Sequence, residues 1–152
     1  MIIGRRIILL CMAIAACFVA SAVDAHVTVW PAQSVPGASE RYTVRVPTEG
    51  QVSTSSVELE VPADITVTGV LVGAGYTYEA RREGSRIVAI TWKLDIKPGE
   101  IGEFVFFARN PKSAQSVTWK AHQRFVDGTS ADWVGVEGDR RPAAVTRLVA
   151  AR

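Results

Sequence analysis

The sequence predicts an all-β domain, an antiparallel β-sandwich of immunoglobulin-like or cupredoxin-like type, preceded by a helical signal peptide that is cleaved off. Three observations predict it. After residue 25 no stretch long enough for an ordinary helix keeps a helical hydrophobic period. Short runs alternate apolar and polar residues instead, the period of a strand with one buried face. Pro, Gly and Asn/Asp punctuation separates these runs at spacings of about ten residues, as in sandwich folds.

The elements follow in order. His26-Val-Thr-Val-Trp30 alternates and stops at Pro31. Arg41 to Val46 places Tyr42, Val44 and Val46 on one face and ends at Pro47. Val57-Glu-Leu-Glu-Val61 sets Glu58 and Glu60 towards water and ends at Pro62. Residues 65–72 form another strand-like run. Residues 76–82 and 86–94 read as a hairpin around Glu83-Gly84-Ser85. Residues 103–109 close at Asn110-Pro111. Residues 117–126 and 131–136 flank a turn at Asp127-Gly128, and residues 144–149 form the last strand. From these ten runs about eight or nine strands are expected, with no internal repeat and no linker.

Residues 1–25 have the order of a signal peptide: Arg5 and Arg6, an apolar run from Ile7 to Ala20, then Val23-Asp24-Ala25 as a small-x-small cleavage site. Residues 26–152 are then a single domain, of ordinary size for a core built without disulfides. Ile14-Ala15-Ala16-Cys17 loosely matches a lipobox, which would make lipidated Cys17 the mature terminus; cleavage before His26 is the favoured reading. With no second long apolar stretch, the expected product is soluble and periplasmic or secreted, without a transmembrane anchor. Net charge is +2 for the whole chain, and the leader carries part of it. Nothing in that balance points to nucleic acid.

Cleavage after Ala25 would make His26 the first residue. A terminal histidine offers its α-amine and imidazole Nδ1, which together close a six-membered chelate ring on a metal ion. A strand that simply begins with histidine is the competing reading, and residue type and position leave the two level. Both cysteines and both methionines fall within residues 1–25. A blue-copper centre, a Cu(I) thiolate or thioether site and a cysteine zinc site are therefore excluded from the mature domain. Nitrogen and carboxylate oxygen remain, and Cu(II) binds such ligands most tightly among the common divalent ions.

Three further residues come into question. Glu49, between Thr48 and Gly50, sits at a strand end where a carboxylate supplies oxygen, although an isolated loop glutamate is commonly a solvated charge. Trp133 follows a turn and either covers a cation at the open end of the sandwich or belongs to the core, as Trp92 and Trp119 do. His122 is the second of the two histidines. Alternation places it with Lys120 and Arg124, opposite Trp119, Ala121 and Phe125, so it is expected at the surface.

The segments His26-Val-Thr-Val-Trp-Pro-Ala-Gln-Ser34 and Tyr42-Thr-Val-Arg-Val-Pro-Thr-Glu49 closely resemble the start of the YcnI-like family of exported copper-binding proteins. The resemblance continues through Val88 to Trp92, Pro98-Gly99-Glu100, Phe104 to Pro111, and Asp127 to Trp133. It implies a β-sandwich that binds Cu(II) through a monohistidine brace, with metal-site residues His26, Glu49 and Trp133. It also implies a role in copper trafficking, with a copper transporter or another copper chaperone as partner. Some family members carry a C-terminal membrane anchor that has no counterpart here.

A non-catalytic copper carrier is thus the leading expectation. A copper-dependent oxygenase would need His122 beside His26, and strand parity speaks against that. A metal-free interaction sandwich is the third possibility. There is no Ser-His-Asp grouping, phosphate-binding glycine loop or paired-carboxylate motif to support other chemistry.

Overall fold

The computed structural model describes residues 26–150; the expected signal peptide, its cleavage site and Cys17 lie outside the described residues. Among the described residues there are twelve strands and no helix. They are β1 (Thr28–Trp30), β2 (Gln33–Ser34), β3 (Ser39–Pro47), β4 (Thr54–Glu60), β5 (Thr66–Val70), β6 (Thr77–Glu83), β7 (Arg86–Ile96), β8 (Ile101–Arg109), β9 (Ser116–Trp119), β10 (Ala121–Phe125), β11 (Ser130–Trp133) and β12 (Ala144–Leu148). One sheet has the order β1-β3-β8-β5, the second β11-β10-β4-β7-β6, and a short third sheet β2-β12-β9. Every pairing is antiparallel except that of β2 with β12.

The two larger sheets pack face to face, and their alternating inward residues make one core. Tyr42, Val44 and Val46 of β3 are buried as the alternation requires, with Phe104 and Phe106 of β8 beside them. From the facing sheet come Val57, Leu59, Ile90 and Trp92. Trp92 stacks on Phe104 with centroids 5.0 Å apart, and Tyr42 lies 5.3 Å from Phe106 and 4.9 Å from Trp119. Such aromatic pairs add to the effect of burial alone.

Two features depart from the expected strand list. The expected run over residues 117–126 is broken at Lys120, where the chain leaves one sheet for another. β9 pairs with β12, whereas β10 pairs with β4 and β11. The Lys120 carbonyl accepts a bond from the Glu60 amide (2.9 Å), which pins the crossing point. The chain after Pro31 adds the two-residue β2, with Arg147 N bonded to Ala32 O. Thr146 secures this junction: its hydroxyl accepts from Trp119 Nε1 (3.0 Å) and donates to Pro31 O (3.0 Å).

His122 departs from expectation in a different way. Parity is as expected, since His122 shares the outer face of its sheet with the side chains opposite it on β4 and β11. Its environment is not that of a solvated surface residue: the side chain is only 20% exposed. Nε2 lies 2.8 Å from Glu60 Oε1 and Nδ1 lies 2.8 Å from Asp132 Oδ1. A neutral imidazole has one N–H and can serve only one of these carboxylates, so the pair selects the doubly protonated ring. Partial burial pushes the imidazole down, but the hydrogen bonds and charges of Glu60 and Asp132 outweigh it and raise its pKa. Asp132 moves the other way, held low first by the bond from His122 and further by Arg124.

Two predictions follow from this framework. Tyr42 Oη donates to Asn110 Oδ1 at 2.6 Å in the core, so Tyr42→Phe leaves that oxygen without its donor. It should lower unfolding free energy by about 1–3 kcal/mol in urea titrations; an unchanged midpoint would show the bond to be dispensable. For His122 the folded pKa lies above its unfolded value of 6.5. Its stabilisation is then complete below that value and fades as pH rises through the folded pKa. His122→Ala should therefore destabilise the protein more at pH 5 than at pH 9, and equal losses at both would refute the imidazolium clamp.

Candidate metal centre

β1 runs antiparallel to β3, with Thr28 opposite Arg45 and Trp30 opposite Thr43. Stepping back from Thr28 therefore carries the chain towards the Pro47 end of β3. Val27 is buried and anchors this approach, while His26 is exposed. The His26 ring meets Trp133 edge to face, with centroids 5.7 Å apart and planes at 80°.

Trp133 closes β11 and is 7% exposed. It is therefore a core residue that also faces the open end of the sandwich, so the two roles considered from sequence are not exclusive. Its indole N–H donates to Gln123 Oε1 (3.2 Å). The amide of Gln123, itself 2% exposed, donates in turn to Pro47 O (3.0 Å) and Thr54 Oγ1 (2.7 Å). With its N–H occupied by Gln123, Trp133 has no lone pair to give, and its ring is suited to covering a cation and not to ligating it.

Glu49 follows directly on a fixed point. The Thr48 amide bonds Glu100 O (3.0 Å), its carbonyl accepts from Gly99 N (2.8 Å), and its hydroxyl shares a 2.7 Å bond with Thr54. Gly50 then turns with φ +80°, a conformation costly for a residue with a side chain. Glu49, Gly50, Gln123, Trp133, Arg140 and Arg141 help to line a cavity of about 310 Å³ at this end of the molecule.

Trp133 is thus the common element: it touches the His26 ring and walls the cavity that Glu49 borders. His122 stands apart. Ala121 is opposite Trp133 and His122 opposite Asp132 in the β10–β11 register, so the His122 side chain emerges on the far face of the sheet. Among the described residues no three His, Cys, Asp or Glu side chains gather in a way that could hold a metal ion.

Gln123, Arg140 and Arg141 were not singled out from the sequence. Gln123 did carry a signal, being the polar residue on the Trp119, Ala121 and Phe125 face of an alternating run. The arginines carried none, because a loop returning onto the cavity is a tertiary event.

Comparison with known proteins places these features in a family. Residues 26–148 match the family model described as domain of unknown function DUF1775. The chain is 31% identical over 138 residues to the copper-binding protein CutI of Bacillus subtilis strain 168, covering 89% of this chain and 68% of that protein. A solved structure from Nocardia farcinica, described as an uncharacterized protein with an immunoglobulin-like fold, is 27% identical. It has a TM-score of 0.72 over 83% of this chain and 99% of that one. A non-cellulosomal cohesin from Archaeoglobus fulgidus shares the fold alone, at 15% identity and a TM-score of 0.50 over 82% of this chain and 91% of its own. The chain belongs to the YcnI-like family characterised by the DUF1775 domain.

Proposed function

We propose that this protein is exported, cleaved after Ala25, and binds Cu(II) for copper trafficking in the periplasm or outside the cell, without catalysing a reaction. The ion is cargo, held by the α-amine and imidazole Nδ1 of His26, with the Glu49 carboxylate as an oxygen donor and Trp133 as an apolar cover. Delivery is to a copper transporter or another copper chaperone.

The observation that carries this reading is the edge-to-face contact of His26 and Trp133 at 5.7 Å, in a chain 31% identical to a protein named for copper binding. The match to the family model opens on His26 itself. The donor chemistry also fits. A site with one imidazole and one carboxylate needs a further strong donor, and a freed backbone amine supplies it beside the ring. Thiolate and thioether ligands are absent from the domain, which favours Cu(II) over Cu(I). His122, on the far face with both ring nitrogens engaged by carboxylates, does not supply the second imidazole of an oxygen-activating pair. That favours carriage over catalysis.

The deciding experiment compares the protein purified after export with a version carrying the extension Ser-Gly-Ser-Gly-Ser before His26, whose own amine lies too far along the chain to chelate together with the ring. Losing a direct nitrogen ligand should cost more than the roughly 10–100-fold typical of an outer partner. Affinity for Cu(II), measured by chelator competition, should therefore fall by more than about 100-fold on that scale. Two-nitrogen hyperfine structure in the electron paramagnetic resonance spectrum should reduce to one. Equal affinity in the two forms would reject the amine as ligand. Glu49→Gln should weaken binding by about tenfold while leaving both nitrogen couplings in place.

A further inference from the structure

The outer face of the β1-β3-β8-β5 sheet exposes two aromatic rings carried on paired strands. Trp30 of β1 is 51% exposed and Phe107 of β8 is 40% exposed. Trp30 stands opposite Thr43 on β3, and Phe107 stands opposite Arg41, two residues along the same strand. Their Cα atoms are therefore two strand spacings and two residues apart, roughly 12 Å by ordinary sheet dimensions. Arg41 and Thr43 intervene on β3, joined by a bond from Arg41 Nη1 to Thr43 Oγ1 (3.2 Å).

Each ring walls a depression of the surface. Trp30 shares one of about 370 Å³ with Thr43, Arg45 and Glu103. Phe107 borders another of about 520 Å³, whose lining includes Glu40, Arg41 and Gly69. Each depression thus holds one arginine and one glutamate and carries no net charge. Arg45 Nε donates to Glu103 Oε1 (2.8 Å), but a guanidinium has five N–H donors and a carboxylate several acceptor sites. Both therefore keep capacity for a further polar partner. On the other side, glycine leaves Phe107 uncovered. Gly69 pairs with Phe107 between β5 and β8, and a Cβ there would make ordinary contact with Phe107 Cδ2 at 3.9 Å. A side chain would fit, and it would cap the ring.

These features select the occupant. Depressions without net charge offer no field to a phosphate or an anionic membrane. Arg41 and Arg45 interrupt the apolar area, unlike the charge-poor centre of a stable protein interface. What fits is a ligand with apolar ring faces and a rim of hydroxyls. A pyranose has both: its axial C–H bonds meet an aromatic face, while its equatorial hydroxyls donate to carboxylate and accept from guanidinium. We propose that this face binds a linear glycan of uncharged, β-linked hexose or N-acetylhexosamine rings, with Trp30 and Phe107 as its two stacking platforms. A separation of roughly 12 Å exceeds one pyranose ring, so the platforms hold non-adjacent rings of an extended, ribbon-like chain. None of these residues is assigned to copper, so glycan and metal binding are independent.

The test titrates isotope-labelled protein, purified after export, with chitohexaose, cellohexaose or their monosaccharides, and follows amide and indole resonances. At least one hexasaccharide should bind saturably at about 1 mM or tighter, shifting the Trp30 indole and the neighbouring β3 and β8 amides. Its monosaccharide should bind at least about tenfold more weakly, because a second contact on one chain becomes intramolecular. Trp30→Ala removes an exposed ring and should weaken hexasaccharide binding about tenfold or more, with circular dichroism verifying the fold. Gly69→Leu keeps both rings and should shrink the advantage of the hexasaccharide over its monosaccharide; it decides alone if Trp30→Ala does not fold. No saturable binding of either hexasaccharide, or shifts confined to another face, would overturn the proposal. Trp30-dependent dimers, or attachment to phosphatidylglycerol vesicles, in place of glycan binding would overturn it too and assign the face to that partner.

Discussion

The end of the sandwich that concerns function is held by one buried amide. Gln123 joins the last residue of β3, the first residue of β4 and the indole of β11 through three hydrogen bonds. These elements belong to both facing sheets, so the amide is a polar tie between them at this end of the core. Such a group is costly to bury unsatisfied, and here its donors and its oxygen are all engaged. The consequence is geometric. Trp133 cannot rotate without losing its partner, and Thr48, bonded to Thr54, cannot drift from the same anchor.

Sequence alternation described the fold well where burial of one face is the governing constraint. Tyr42, Val44 and Val46 are all fully buried, and the hairpin turns at Gly84-Ser85 with Glu83 opposite Arg86. It failed at Lys120, because Val117, Trp119 and Ala121 keep the same parity through the break. Burial continues while the hydrogen-bonding partner changes, and only the partner reveals a change of sheet. The site divides along the same line. Position and residue type raised His26, Glu49 and Trp133 one at a time without deciding between ligand and structural roles, and the family resemblance implied them as a set. Their arrangement depends on the β1–β3 register and on the Gln123 amide, which reaches Pro47 76 positions away in the chain.

The two faces of β10 carry opposite electrostatic solutions. Gln123 looks inward and fixes the indole without net charge. His122 looks outward and, as an imidazolium, donates one N–H to each of two carboxylates, Glu60 from β4 and Asp132 from β11. β11 is an edge strand paired only with β10, so its attachment gains from a clamp on each face. Neither clamp draws on His26 or Glu49.

That separation bears on how a cargo ion can enter and leave. Trp133 and Thr48 are positioned by bonds that do not involve any ion. Glu49 extends one residue beyond a fixed backbone, and His26 precedes the first strand with only Val27 buried behind it. A frame already formed incurs little ordering cost on binding, which raises affinity. On the proposed copper-carrier reading, donors at His26 and Glu49, one before the first strand and one at a loop tip, would still exchange one bond at a time. A carrier needs both properties, and a closed cage of side chains on rigid strands would supply only the first.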